Sequence, residues 1–105
     1  MRNMRNKKKG FIYLLESADG LLLKFGASIS PKDRVRHINS LYKNNKFTIF
    51  SLFRSEDIFD SECKIKWMLW DKHIAGSEIF LSSKIVDKKH ILHIAESVCG
   101  EGVSV

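Results

Sequence analysis

The sequence has few of the features that mark a disulfide-rich, zinc-binding or membrane protein. It has two cysteines, Cys63 and Cys99, which are too few for a disulfide framework and lack the close spacing of a zinc knuckle. No apolar run is long enough to span a bilayer, and the basic N-terminus is not followed by the apolar region of a signal peptide. We therefore expect a cytoplasmic protein with reduced thiols and no membrane partner.

Acidic residues are absent from the first nine positions, which instead contain five basic residues. They are Arg2, Arg5, Lys7, Lys8 and Lys9. The rest of the chain carries 13 basic and 12 acidic side chains, so nearly all of the net charge of +6 lies in this arm. A basic arm on an almost neutral domain favours contact with a polyanion such as DNA. The alternative is a disordered tail that only aids solubility.

Proline and glycine are also scarce, at one and six residues, and the sequence shows no low-complexity tract, repeat or linker. A length of 105 residues, of which 44% are hydrophobic, fits one small domain with a single core. We divide the chain into the basic arm (1–9), one domain (10–98) and a flexible tail (99–105).

Three segments have the pattern of strands. Residues 10–16 are apolar on both alternating faces, as a central strand covered on both sides would be. The pair Asp19-Gly20 supplies a turn, so residues 21–25 are predicted to fold back as a hairpin partner. Residues 47–53 are rich in β-forming residues and predict the third strand.

Three helices are predicted, at residues 31–42, 56–71 and 84–98. Their start signals are, in chain order, Ser30 with Pro31 and Asp33 in a capping-box pattern, then Ser55, then Ser82 or Ser83. Near the end of the second helix, Trp67 and Trp70 are expected to be core or interface anchors rather than platforms for stacking bases.

The segment at residues 24–41 has the features of a phosphate-handling site. Gly26 and Ala27 follow a buried strand and are too small to block the backbone, so a glycine turn there would allow a ligand to approach closely. On the helix that follows, Arg34 and His37 are three residues apart and project from the same part of the surface. Ordinary solvated helix residues are the simpler alternative for this pair.

A carboxylate interrupts the apolar stripe of the second helix. Ile58, Glu62, Ile65 and Leu69 recur at spacings of four, three and four, so Glu62 is predicted to face the core. An inward acid is costly unless it is paired, hydrogen-bonded or bound to a metal. Glu62 is therefore a candidate metal ligand, with a structural ion pair to Arg34 or a lysine as the alternative.

These residues together resemble the GIY-YIG nuclease superfamily, in particular its small phage-type and bacterial branch. The first motif is similar to residues 10–13 (GFIY) and the second to residues 24–26 (KFG), and Arg34 follows at the spacing of the family's catalytic arginine. Glu62 matches the family's metal-binding glutamate, and residues 76–80 (GSEIF) resemble a segment of that branch.

The resemblance implies an α+β fold with a three-stranded antiparallel sheet flanked by helices, which binds Mg²⁺ or Mn²⁺ and hydrolyses DNA phosphodiester bonds. Tyr13 would then activate or order the attacking water, Arg34 would contact the scissile phosphate, and Glu62 would hold the metal. His37 lies near the place of a general-base histidine in some members, and Lys24 would bind phosphate or lower the pKa of a nearby phenol. The further residues expected to contact nucleic acid are Gly26, Ser28, Lys32 and Arg36, together with the basic arm.

The sequence also departs from the family's pattern. Lys24 stands where many members have tyrosine, although lysine is also familiar there in the phage-type branch. Lys66 stands where the branch often has a histidine, four residues after the glutamate, and an asparagine seen late in some members has no counterpart. These departures concern activity more than fold.

Three functions therefore stay open. The first is a metal-dependent DNA endonuclease, in one interpretation phage-encoded and so located in the host cytoplasm. The second is an inactive nucleic-acid-binding or regulatory module of the same fold, and the third is a protein-interaction factor that uses the two tryptophans and the last helix. The joint presence of Tyr13, Arg34 and Glu62 favours the enzyme, because a binding module has no need for an inward carboxylate. Whether the protein is a monomer or a homodimer stays undecided.

Overall fold

Three long antiparallel strands form the centre of the fold. The computed structural model describes residues 7–74 and 80–104. In it, β1 (Gly10–Ser17) lies between β2 (Leu22–Ser28) and β3 (Phe47–Ser55) and is antiparallel to both. Residues 12–15 of β1 are all buried, because both faces of this strand are covered. The prediction of β1 as a central strand is confirmed, and so is its hairpin with β2, which turns at Gly20 with a φ of 73°.

The sheet is wider than the three strands that the sequence predicts. In the described residues β4 (His73–Ile74) and β5 (Phe80–Ser82) extend it beyond β2, and β6 (Gly102–Val103) extends it beyond β3. The class, α+β with an antiparallel sheet and helices, is confirmed, but the number of strands is wrong. The added strands are two or three residues long, too short to show the alternation that marks a strand in sequence. One of them, β6, lies in the segment expected to be a loose tail.

Helices cover both faces of the sheet. On one face, α1 (Pro31–Leu41) packs through Val35 and Ile38 against a cluster that includes Tyr13 and Leu15. On the other face, α2 (Ile58–Met68) and α3 (Lys88–Cys99) pack against a larger cluster. Two clusters on the two faces of one sheet explain why β1 is apolar in both of its alternating sets. No helix in the described ranges is long and apolar enough to cross a membrane.

The first helix begins where the sequence predicts, but its capping box does not form. Ser30 is the N-cap residue, yet its side chain makes no capping hydrogen bond. Its backbone N–H donates to Ser28 Oγ at 2.9 Å, and Asp33 Oδ1 accepts from Arg36 Nη1 at 3.1 Å. The proline at the first helical position, together with packing of the apolar side of α1, is thus enough to set the helix start.

The starts predicted for the other two helices are wrong. Ser55 does not cap α2, because it is the last residue of β3 and its hydroxyl is hydrogen-bonded to Ser61 Oγ at 2.6 Å and accepts from Asp57 N at 3.2 Å. The helix α3 begins four residues later than expected. Residues 82–86 form a turn in which Val86 N donates to the Ser82 carbonyl at 2.9 Å, and Asp87 caps the helix by accepting from His90 N at 2.8 Å.

Candidate active site

Tyr13 and Gly26 lie opposite each other on β1 and β2 and form the floor of the candidate site. They are cross-strand partners, and only 2% of Tyr13 is exposed. A Cβ on Gly26 would overlap the Tyr13 hydroxyl and ring, so glycine is required here for close approach. The sequence predicts a glycine turn at this point, but Gly26 is inside β2 and lacks a positive φ. The side chain that uses the space at Gly26 is therefore Tyr13.

Lys24 lies on the same face of the sheet as these two residues. Alternation along β2 points Leu23 and Phe25 into the core under α2 and α3, and it turns Lys24 and Gly26 towards the face that carries α1. Only 7% of Lys24 is exposed. A buried lysine requires nearby polar or anionic groups to offset the loss of hydration, and the position of Lys24 beside a tyrosine and a glycine places an ammonium in the candidate site.

Glu62 reaches from α2 to the backbone of β2. The backbone N–H of Ala27 donates to the Glu62 carboxylate. In the described parts of the chain, β5 pairs with β2 from Leu22 to Lys24, so this hydrogen bond lies three residues further along β2 than the last described pair. It fixes the carboxylate beside the end of β2.

The stripe that contains Glu62 is confirmed. Ile58, Ile65 and Leu69 are buried, with 4%, 0% and 0% of their surface exposed, and Glu62 lies between them and is half-buried. Burial raises the pKa of the Glu62 carboxyl above its ordinary value, because the charged form loses hydration. The positive charges of Lys24 and Lys66, the Ala27 N–H and the charge of Arg34 oppose that rise.

Arg34 completes the group from a fourth element. It is exposed on α1 and close enough for its charge to act on Glu62. The structure therefore brings together Tyr13 from β1, Lys24 from β2, Arg34 from α1 and Glu62 from α2. His37 is exposed one turn further along α1, and it is not among the residues whose charges act on Glu62.

The residues predicted to contact nucleic acid lie mainly in two other places, the basic arm and the outer side of α1. Lys7, Lys8 and Lys9 are exposed, whereas Arg2 and Arg5 lie outside the described residues. The arm joins the domain where the Lys8 carbonyl accepts from Ile58 N at 2.9 Å and Lys9 Nζ lies 3.5 Å from Glu56 Oε2. Contacts with the start of α2 thus hold Lys8 and Lys9, where the basic arm joins the domain.

A second set of basic side chains follows the outer side of α1. Lys32 and Arg36 are exposed, and they line a groove of about 620 Å³ together with Lys43 and Lys46. Ser28, the last residue of β2, uses its hydroxyl to hold the turn into α1. The segment at residues 76–80, which resembles a family motif, lies outside the described residues except for Phe80.

Of the two alternatives expected for the tryptophans, a place in the core is wrong, and a place in an interface stays a prediction. Trp67 and Trp70 are 65% and 44% exposed, and their ring centroids are 5.5 Å apart at 45°. Lys66 Nζ lies 5.6 Å from the centroid of the Trp70 ring. The helical spacing indicates the exposure of Trp67, because Trp67 is two residues from both Ile65 and Leu69 and so lies on the side of the helix opposite the buried stripe.

The donor set at Glu62 fits a cation that keeps much of its water. The described ranges contain no group of three or more histidine, cysteine, aspartate or glutamate side chains that could enclose a metal ion. Mg²⁺, however, is commonly bound through one or two carboxylates and completes its shell with water and substrate phosphate oxygens. The partly buried Glu62 carboxylate, oriented by Ala27 N–H, would provide one such ligand.

Comparison with known proteins adds nothing to this geometry, since the chain matches no family model, no curated protein and no solved structure. Any function assigned to the site therefore depends on its residues and their arrangement. That arrangement consists of four side chains from four elements, of which two are positively charged and one is negatively charged at neutral pH.

Proposed function

We propose that this protein is a metal-dependent endonuclease that hydrolyses DNA phosphodiester bonds and belongs to the GIY-YIG superfamily. The observation that supports it best is the convergence of Tyr13, Lys24, Arg34 and Glu62. Glu62 lies where burial disfavours the charged form of its carboxyl. Ionisable groups with shifted pKa values cluster at functional sites. A carboxylate that served only packing would be replaced by an apolar residue at little cost in stability.

The four side chains match the needs of phosphoryl transfer. The Arg34 guanidinium would bind the scissile phosphate and offset the charge that develops on its oxygens, and the Lys24 ammonium would bind the same phosphate from below. The Tyr13 hydroxyl would order or activate the attacking water. Glu62 would hold Mg²⁺ or Mn²⁺, and a bound cation would polarise the phosphate and stabilise the leaving oxygen. His37, which is exposed one turn beyond Arg34 on α1, is kept as a candidate base.

The basic arm and the groove beside α1 would supply affinity without sequence selectivity. Both present lysine and arginine side chains, and contacts between such side chains and phosphates carry no sequence information. We therefore expect weak sequence preference and a steep fall in affinity with added salt. Cleavage of one defined site with high preference would contradict this part of the proposal.

The test is nicking of supercoiled plasmid with and without Mg²⁺ or Mn²⁺. Wild-type protein is compared with Arg34→Ala and Glu62→Ala, which should both lose metal-dependent nicking. Two matched controls should keep it. Asp60→Asn removes an exposed acid that pairs with Lys64 on the same helix, and Lys84→Ala removes an exposed lysine near the opposite end of β2. Equal nicking by all variants would reveal a contaminating nuclease and defeat the proposal.

A second candidate function is phosphate binding without turnover. It is favoured by Lys66, because three cations act on the single carboxylate of Glu62 and would repel a metal ion until a polyanion neutralised them. This candidate predicts DNA binding that weakens with salt, no nicking in any metal, and no change in affinity when Mg²⁺ is added. The plasmid assay and a binding assay on the same samples separate the two functions.

A further inference from the structure

The two tryptophans form an exposed aromatic surface at the end of α2. We call Trp67 and Trp70 the tryptophan pair, and they are the only tryptophans in the chain. Indole rings of this size are usually covered in a folded protein, so two that are 65% and 44% exposed, with ring centroids 5.5 Å apart, mark a contact surface. Their exposed fractions are too large for side chains whose role is to fill the hydrophobic core.

Lys66 connects this surface to the candidate active site. Glu62, Lys66 and Trp70 are spaced four residues apart, so they follow one side of α2 into the short 3₁₀ turn after it. The charge of Lys66 acts on Glu62, and the same ammonium lies 5.6 Å from the Trp70 ring. At 1.5 Å per residue, eight residues separate Glu62 from Trp70 by about 12 Å along the helix, or roughly three to four nucleotides at the spacing of a B-form strand.

We propose that the tryptophan pair is a stacking platform for unpaired bases that flank the phosphate held near Glu62, so that the substrate is single-stranded or locally unpaired nucleic acid. This inference names the substrate class of the proposed nuclease and rests on that function for the placement of the scissile phosphate. Paired bases have both faces covered within the duplex, whereas an unpaired base can stack on an indole.

Charge favours a nucleic acid over a protein as the occupant. The Lys66 ammonium makes a cation–π contact with the Trp70 ring. The same ammonium would pair with a phosphate next to a base stacked there. Alternating aromatic and basic side chains are what proteins use to hold single strands without reading sequence. Stacking does not distinguish DNA from RNA, so unpaired bases of either polymer are the ligand, and the experiment includes both.

Tryptophan fluorescence tests the platform directly, because all of it comes from this pair. Protein is titrated, in EDTA to prevent cleavage, with oligothymidylate or oligouridylate of about 12 nucleotides, a length within the range of known single-strand sites. An oligonucleotide of the same length with abasic positions carries the same phosphates but no bases. We expect quenching by the first two and little by the third. Equal quenching by the abasic strand, or none by any strand, would overturn the proposal.

Substitutions separate stacking from charge. Trp70→Ala and Trp67→Ala should each weaken oligothymidylate binding roughly tenfold, measured by anisotropy of a labelled strand, while duplex affinity changes less than about twofold because phosphate contacts supply it. Phe59→Ala is the matched control, since it removes another exposed aromatic side chain from α2. A change in oligomeric state by sedimentation, with unchanged strand affinity, would instead assign the pair to a protein interface and overturn the proposal.

The outcome is independent of turnover. Quenching by bases with no nicking by any variant would defeat the nuclease and keep the platform, whereas nicking without base-dependent quenching would keep the nuclease and defeat the platform. Glu62→Ala should lose nicking and keep quenching, because it leaves both indole rings in place.

Discussion

The Tyr13 hydroxyl lies against Gly26, its partner across the first two strands, in the space that a Cβ would occupy. This contact positions a buried phenol at the floor of the candidate site without a turn or any unusual backbone conformation. Because Tyr13 is only 2% exposed and packs with Val35 and Ile38 from α1, its ring has no free space into which to move.

Gly26→Ala should therefore destabilise the fold. The added methyl would collide with the ring of Tyr13, and overpacking of a well-packed core typically costs about 1–3 kcal/mol. Urea denaturation measures the free energy of unfolding. The same substitution made in a Tyr13→Ala background should cost less, since the obstructing ring is gone. Additive losses in this double-mutant cycle would show that the two side chains do not compete for the same space.

Glu62→Gln should make the protein more stable at neutral pH while it abolishes nicking. Burial raises the pKa of Glu62, so the native state binds its proton more tightly than the unfolded chain does. Stability from this group is therefore full below the ordinary glutamate pKa and is lost as pH rises through the raised native pKa. Glutamine can still accept from Ala27 N–H and does not titrate.

Denaturation of the wild type and Glu62→Gln across this pH window checks the prediction. The difference in the free energy of unfolding should be largest above the native pKa and shrink as pH falls. Asp60→Asn, an exposed acid on the same helix, controls for the loss of a negative charge. A Glu62→Gln protein that is less stable than wild type at neutral pH would mean that pairing with the surrounding cations outweighs the cost of burial.

The sequence predicts the features of the site that depend on periodicity. The spacing of Ile58, Ile65 and Leu69 defines a buried stripe, and Glu62 has to share it because 3.6 residues make one helical turn. The central position of β1 follows in the same way from its two apolar faces. Periodicity does not predict which side chains converge on Glu62. The sequence indicated Arg34 or a lysine only as possible ion-pair partners, without saying which of the lysines would lie nearby.

Other features depend on tertiary contacts that a local pattern does not contain. A serine can cap a helix or end a strand with similar local energetics, and the bond between Ser55 and Ser61 decided between them. The role of Ala27 was equally hidden, since the hydrogen bond from its N–H to Glu62 joins β2 to α2 and no local pattern predicts it. The sequence left the tryptophan pair open between core and interface, because aromatic size does not distinguish the two, whereas position on the helix does for Trp67.

Lys24→Met should shift the pH profile of nicking to higher pH. The charge of Lys24 lowers the pKa of Glu62, and methionine keeps an apolar stem of similar length while removing that charge. The pKa of Glu62 should then rise further, so a higher pH is needed to provide the carboxylate that holds the metal. Initial nicking rates across pH at saturating Mg²⁺ give the measurement.

Lys64→Met is the matched control for this prediction, because Lys64 is an exposed lysine of α2 that pairs with Asp60 at 3.0 Å. Its pH profile should coincide with that of the wild type. Loss of the phosphate contact should also lower the rate of Lys24→Met, but an equal loss at every pH, with no shift, would show that Lys24 does not act on the ionisation of Glu62.

Asn39→Asp should destabilise the fold without changing the chemistry. The Asn39 amide bonds both backbone groups of Phe47: its Nδ2 donates to the Phe47 carbonyl at 2.9 Å, and its Oδ1 accepts from Phe47 N at 2.7 Å. Aspartate keeps the acceptor but turns a second oxygen towards the carbonyl. One hydrogen bond contributes about 0.5–1.5 kcal/mol, and the repulsion between the two oxygens adds to its loss. We therefore expect the free energy of unfolding, measured by urea denaturation, to fall by about 1–3 kcal/mol.

Nicking per folded molecule should be unchanged in Asn39→Asp, because Phe47 pairs with Ser17 at the end of β1 away from Tyr13. Asn44→Asp, in the exposed turn after α1, introduces the same charge without this pair of bonds and should have wild-type stability. If the two variants unfold at the same urea concentration, the Asn39 amide does not hold α1 to β3. The start of β3 would then be held by its pairing with β1 and by the burial of Phe47, of which only 2% is exposed.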